Sequence, residues 1–431
     1  MTHASARRRV LCSIPAIACT GLAHARLSEL SEHIASIDRG LFERIARRVW
    51  LARMADESRT VADQSTVDAI VRAARASVRV SAEASAVDFW QRHALKLIQK
   101  YRLNPLRAAR SLSYLAIAMH DAGVERIAHE AVASEALAYF FPEEPHGSLR
   151  LQAVQRASMF AASASSVRTA WLRGVASARA AMNACARRRQ RPRRRGCAAS
   201  ERSATRHTAA LESNSSTVGL TPGRTARRKL ENLVGAGLNR GRCCTTTHVE
   251  SRAICGRSAR VVRNIAPLVG GGKRSADEWN LDLGTVTPAG VWVMRALDLP
   301  ELKQLPIDHQ TAALALLATT MLDAFIACWA VKFRWWTERP VTAIRRDIDA
   351  EFLLYLVTPS FPGYVSGHAT VSGAAAAVLS RLFPPRSAEL LRAAEEAAHS
   401  RLLGGIHVRS DNAEGLRLGL RVGAAAVDRA S

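Results

Sequence analysis

From Ala312 to Val331 the chain runs through twenty residues with a single charge, Asp323, and this is its longest apolar stretch. Wound as a helix, twenty residues reach about 30 Å, the thickness of a bilayer's hydrocarbon core. A carboxylate near the middle and Lys332 directly after the run suit a helix buried in protein better than one bathed in lipid. No second run of this kind occurs, which argues against a multi-span membrane layout. Such a helix needs neighbours on every side. The remaining composition can supply them: 48% of residues are apolar, 5% aromatic, and Ala374–Ala377 is an unbroken alanine run. Strong helix formers dominate, so an all-α helical bundle is the expected fold.

Ahead of this region the sequence also reads as helices. Arg7-Arg8-Arg9, the modestly apolar run Val10 to Leu22 and Ala23-His24-Ala25 have the three parts of a secretory signal. Residues 1–25 are therefore read as a signal peptide and the protein as exported, in preference to cytoplasmic. A lipoprotein reading through Cys19 is weaker, because Ala16 stands where a leucine is usual. Residues 26–184 form an N-terminal helical region. Apolar residues recur at helical spacing from Leu27 to Val49 within a stretch ending at Arg53. A second helix is expected from Thr66 to Arg79, and a third opens at Asp88 toward Tyr101. Asn104-Pro105 stops that helix, and Pro105 suits the first turn of the next. That next stretch is expected to run from Arg107 to Glu130, with His120 a packed or capping histidine. Residues 131–182 continue as Ala-rich helices interrupted at Phe141-Pro142.

The formal charge of +24 first suggests nucleic acid or an anionic surface. Its location changes that inference. Between Cys185 and Arg274 there are 21 Lys and Arg against 4 Glu and no Asp, a net of +17, leaving only +7 elsewhere. The same ninety residues hold five of the eight cysteines and no Phe, Trp or Tyr. Residues 185–275 therefore read as a basic insertion of low order. A nucleic-acid arm is disfavoured against a segment without function, including one translated out of frame. No cysteine spacing supports a disulfide framework or a zinc site.

The chemistry is concentrated in residues 276–431, read as a catalytic helical bundle. Three stretches carry it: Lys332-Phe-Arg-Trp-Trp-Thr-Glu-Arg339-Pro340, Ser366-Gly367-His368, and Ser400-Arg401-Leu-Leu-Gly-Gly-Ile-His407-Val-Arg-Ser-Asp411. Lys332 and Arg339 lie seven apart, about two helical turns if the helix continues that far. Ser366 and Gly367 form a turn ahead of a small-residue helix, Ala369–Leu382, where a hydroxyl, backbone N–H groups and the helix dipole all favour an anion. His368 is placed for general acid or base work. Arg401 adds a second guanidinium, and Asp411 can accept the ring N–H of His407 one turn away. Arg334, Arg345, Arg346, His399 and Arg409 read as surface or supporting groups. The set suits a tetrahedral oxyanion such as phosphate or vanadate.

In series, K-x6-R-P, S-G-H and S-R-x5-H-x3-D resemble the signature of the type 2 phosphatidic acid phosphatase and vanadium haloperoxidase superfamily. The resemblance implies an oxyanion bound by Lys332, Arg339, Ser366, Gly367 and Arg401, with His368, His407 and Asp411 catalytic. In a haloperoxidase His407 would be the vanadium ligand, with vanadate as cofactor and halide and peroxide as substrates. In a phosphatase, which needs no cofactor, it would attack phosphorus in a phosphate ester. Five-coordinate vanadate has the geometry of the phosphoryl-transfer transition state, so one pocket can serve both. Phe361-Pro362 and the run Ser-Gly-His-Ala-Thr look more like the haloperoxidase branch. Val365 departs from the pattern, where proline is usual, and implies a looser turn. An oligomer is compatible with this reading.

Overall fold

The computed structural model describes residues 61–76, 85–160, 163–190 and 271–430. The expected signal peptide, the expected helix from Leu27 to Arg53 and residues 191–270 of the basic segment lie outside the described residues. Among the described residues every regular element is a helix. In chain order they are α1 (Val61–Ala76), α2 (Ala86–Lys100), α3 (Pro105–Asp121), α4 (Arg126–Phe140), α5 (His146–Ser158) and α6 (Ala164–Gln190). There follow α7 (Gly271–Glu278), α8 (Thr287–Asp298), α9 (Pro300–Gln304), α10 (Ile307–Trp335), α11 (Pro340–Asp347), α12 (Gly367–Leu382), α13 (Ser387–Leu403) and α14 (Arg409–Ala430).

Local chemistry explains most boundaries. Ser85 caps α2 by accepting the Asp88 N–H at 3.2 Å. Asn104 caps α3 by accepting the Arg107 N–H at 3.0 Å, with Pro105 at the first helical position as its sequence suggests. The stretch expected to continue from Arg107 to Glu130 instead breaks in two. Gly123 takes φ +89 between α3 and α4, a left-handed backbone that glycine enters without strain. Helical order also reaches into both ends of the segment read as low-order. α6 runs to Gln190 with Cys185 buried, and α7 begins at Gly271.

α10 is the axis of the bundle. It carries the apolar run and packs against α3, α8, α12 and α14. By length and composition the stretch beginning with α10 passes for a membrane-crossing helix, yet 78% of its most apolar part is buried within the protein. Trp90, Trp171 and Trp292 are fully enclosed, and truncating such a side chain typically costs about 3–5 kcal/mol. In the N-terminal helices a buried ion pair ties α2, α4 and α5 together. Arg156 Nε donates to both Glu130 oxygens at 3.0 and 3.2 Å, and Trp90 Nε1 donates to Glu130 Oε2 at 2.5 Å.

The most intimate packing joins α12 to α14. Gly415 and Gly423 on α14 and Gly373 on α12 lie so close to the facing backbone that a Cβ would meet carbonyl oxygens at 2.7 Å. At Gly419 the facing Thr370 carbonyl is nearer still. The spacing Gly415, Gly419, Gly423 puts one glycine per turn on a single face, which lets two helix backbones touch.

Candidate oxyanion site

Lys332 sits in the last turn of α10, where the helix dipole favours a cation. It is 0% exposed, and Nζ donates to the carbonyls of Pro362 (2.7 Å) and Gly363 (2.9 Å). Burial pulls its pKa down to about 7, and Arg339 pushes in the same direction. Helix continuity from Lys332 to Arg339 does not hold. α10 ends at Trp335, Trp336 turns left-handed at φ 46, and Arg339 is the extended residue before Pro340 opens α11. The two cations converge all the same, because both bond the 361–363 loop. Arg339 Nε donates to the Phe361 carbonyl at 2.8 Å, and the Phe361 ring lies 5.2 Å from Lys332 Nζ and 5.0 Å from the Arg339 guanidinium carbon.

Arg339 Nη1 donates to the Ile406 carbonyl at 2.7 Å and to His407 Nε2 at 3.1 Å. His407 Nδ1 lies 2.9 Å from Asp411 Oδ2. An arginine only donates and an ionised carboxylate only accepts, so these two partners fix the ring: Nδ1 carries the proton and Nε2 the lone pair. Burial holds His407 well below its ordinary pKa, with Arg339, Lys332, Arg401 and His368 adding to the effect. Asp411 also accepts the Val408 N–H at 3.3 Å in the first turn of α14. Gly405 at φ 81 supplies the reversal after α13 that brings His407 back under Arg339.

Ser366 is the N-cap of α12 and Gly367 its first residue. The Ser366 Oγ accepts the Ala369 N–H at 3.5 Å, which leaves its hydroxyl proton free to donate, and Gly367 N–H belongs to the first-turn donors that a helix cannot satisfy internally. The looser turn expected from Val365 is not observed. Val365 is fully buried, Gly363 N–H donates to the Thr337 carbonyl (3.1 Å), Tyr364 N–H to Thr337 Oγ1 (2.8 Å) and Ser366 N–H to the Asp411 carbonyl (2.9 Å). His368 follows at the start of α12. Burial and Arg401 hold it neutral well below its ordinary pKa, against hydrogen bonds to the backbone of Asn280 and Trp279. Arg401, near the end of α13, is 2% exposed; its Nη1 donates to the Trp279 carbonyl at 2.5 Å. Burial lowers its pKa to about 9 and that of Arg339 to about 10.

The structure thus brings Lys332, Arg339, Ser366, Gly367, His368, Arg401, His407 and Asp411 into one place. Three buried cations face one carboxylate, Asp411, within this set. Arg339 Nη2, Arg401 Nε and His368 Nε2 are buried without a hydrogen-bond partner. Leaving buried charge uncompensated costs several kcal/mol per ion, and an anion with several oxygens would relieve it. Vanadate or phosphate therefore fits the donor set. Among the described residues no cluster of His, Cys, Asp and Glu could hold a metal ion on its own. His120 is the packed histidine expected, 3.3 Å from Thr311 Oγ1, and His399 and Arg409 are exposed. Phe361, Thr337, Ile406, Trp279 and Asn280 were not foreseen, since most of them act through backbone carbonyls that leave no mark on side-chain patterns.

Residues 312–429 match the family model of the PAP2 superfamily, the superfamily that the three motifs resemble. No curated protein matches the chain in sequence. Among solved structures its fold is similar to a bacterial vanadium-dependent iodoperoxidase: TM-score 0.59, 18% identity, covering 80% of this chain and 95% of that one. It is also similar to a bacterial vanadium-dependent chloroperoxidase in its holo form, with TM-score 0.57, 15% identity, and coverage of 81% and 99%. The apo form of a bacterial vanadium-dependent chloroperoxidase gives 0.54, 14%, and coverage of 76% and 95%.

Proposed function

We propose that this chain, which has the all-α fold of the vanadium haloperoxidases and matches the PAP2 superfamily over residues 312–429, is a vanadium-dependent haloperoxidase-like enzyme. It would bind vanadate and oxidise a halide with hydrogen peroxide. The observation that carries the reading is the pair of buried, unpartnered donors on Arg339 and Arg401, with His368 Nε2 also unpartnered, around the His407–Asp411 couple. Vanadate, when bound, supplies the Lewis-acidic centre that activates peroxide. Lys332, Arg339 and Arg401 hold its oxygens and offset their charge, with the Ser366 hydroxyl and the Gly367 N–H adding donors at the helix N-terminus. His407 would offer its Nε2 lone pair as the protein ligand, giving up the hydrogen bond it accepts from Arg339 Nη1 and freeing that N–H for an oxygen of the anion. Asp411 keeps the ring proton on Nδ1, so that the lone pair stays on the side of the site. His368, neutral and with Nε2 unpartnered, can accept a proton there and return it.

The same donor set supports a second reading as a phosphomonoesterase. There the His407 lone pair forms the N–P bond and the ester P–O bond breaks, the leaving oxygen taking the proton of the monoanionic ester relayed by neutral His368; water then cleaves the N–P bond and frees His407. The haloperoxidase reading is favoured by the Phe361-Pro362 and Ser-Gly-His-Ala-Thr runs and by the neighbours that share the fold. Purified protein assayed with orthovanadate, peroxide and iodide or bromide should halogenate an acceptor dye only when vanadate is present. Release of p-nitrophenol from its phosphate ester, without halogenation, reverses the order.

A further inference from the structure

The first helix after residue 270 reaches the oxyanion site by an unexpected route. α7 ends at Glu278, and the next two residues, Trp279 and Asn280, lie against His368 and Arg401. They fall outside the stretch matched by the family model, 312–429. We propose that Trp279 is a positioning residue for the oxyanion site: its buried indole fixes the backbone carbonyl that orients Arg401 and sits beside His368. The inference rests on the reading of this site as an oxyanion site.

Three observations support it. The Trp279 carbonyl takes one Arg401 N–H at 2.5 Å and leaves Arg401 Nε buried with no other partner. A planar guanidinium held at one Nη has few remaining orientations, so the carbonyl decides where Nε points. Next, the indole is anchored. It is 4% exposed, its ring centroid lies 6.4 Å from that of Trp292, and the Arg295 guanidinium lies over both rings at 5.6 and 5.8 Å. Finally, Trp292 Nε1 donates to Ser372 Oγ at 2.9 Å, one turn beyond His368 on α12. A chain of fixed contacts thus runs from the helix carrying His368, through two indoles, to the carbonyl holding Arg401.

Calorimetric titration of the full chain with orthovanadate, and separately with inorganic phosphate, tests this without relying on turnover. Arg401→Ala and Trp279→Leu are each expected to weaken binding about tenfold, while the double variant stays within about twofold of Arg401→Ala. Trp279→Phe, which keeps a ring in place, should restore most of the affinity. If Trp279→Leu does not fold, Arg295→Met removes the cation over the rings from a half-buried position. It should weaken binding about threefold, again only when Arg401 is present. An equal loss with and without Arg401, or no loss at all, overturns the inference while leaving the site reading intact. A parent chain that binds neither ion overturns both.

Discussion

Replacing Lys332 with methionine isolates one buried charge and gives a signed prediction. In the unfolded chain this lysine titrates at its ordinary 10.5; in the folded protein, enclosed on α10, it titrates at about 7. Between those values the unfolded chain binds more protons than the native one, so native stability rises with pH across the window. The stability tied to this group is complete above 10.5 and is lost as pH falls to 7. The full span is about 5 kcal/mol, of which roughly 2.5–3 kcal/mol falls between pH 6 and pH 9. Methionine has no proton to exchange, so that part of the slope disappears. The substitution also strands the Pro362 and Gly363 carbonyls, a loss of roughly 1–3 kcal/mol each that does not vary with pH. Urea unfolding of both proteins at pH 6, 7, 8 and 9, in phosphate- and vanadate-free buffer, measures the difference directly. Relative to the parent, Lys332→Met should be worst at pH 9 and should recover toward pH 6 by about that amount. A stability difference that stays level between pH 6 and 9 refutes the burial argument.

Other outcomes follow from the same structure. Asp411→Asn, which keeps the shape but loses the charge holding the His407 ring, should reduce vanadate affinity or turnover 10–100-fold with little change in melting temperature. Gly419→Val drives a side chain into the Thr370 carbonyl and should remove more than about 3 kcal/mol or prevent folding, whereas Gly147→Ala, with open space around it, should be neutral or mildly stabilising by thermal melt. Glu130 is raised by burial from 4.5 to about 7, so its stability contribution is full below 4.5 and is lost as pH rises through 7. Glu130→Gln should flatten that fall, worth roughly 3 kcal/mol, in unfolding measured from pH 4 to 8.

The side-chain chemistry of the site was legible because it uses residue types that cannot be buried cheaply. Lysine, two arginines and two histidines at fixed spacings announce themselves, and all of them meet. What stayed hidden works through the main chain. The left-handed Trp336 that ends α10 short of Arg339 has no sequence signal, since tryptophan rarely adopts that conformation. The carbonyls of Phe361, Pro362, Ile406 and Trp279 exist in any sequence, and only the fold decides which of them face a cation. The helical character of the bundle was readable from periodicity, but the division at Gly123 was not: a single glycine inside an apolar pattern is compatible with continuing the helix. The spacing of Gly415, Gly419 and Gly423 was present in the sequence, and it acquires meaning only once α12 is known to lie opposite.

That glycine face bears on how the site could change over time. α12 begins with the Ser366-Gly367-His368 turn, α14 begins beside Asp411, and the two backbones come together at glycines, with the methyl groups of Ala369 and Ala377 and the edge of Leu416 beside them. Spacers of leucine or valine can be swapped for larger or smaller ones, and a gap set by them drifts as the interior is rebuilt. A gap set by glycines against facing carbonyls and alanine methyls leaves little to swap. The separation between the anion cradle and the carboxylate that steadies His407 is in effect a machined gauge, so new specificity would have to arise in the surrounding loops.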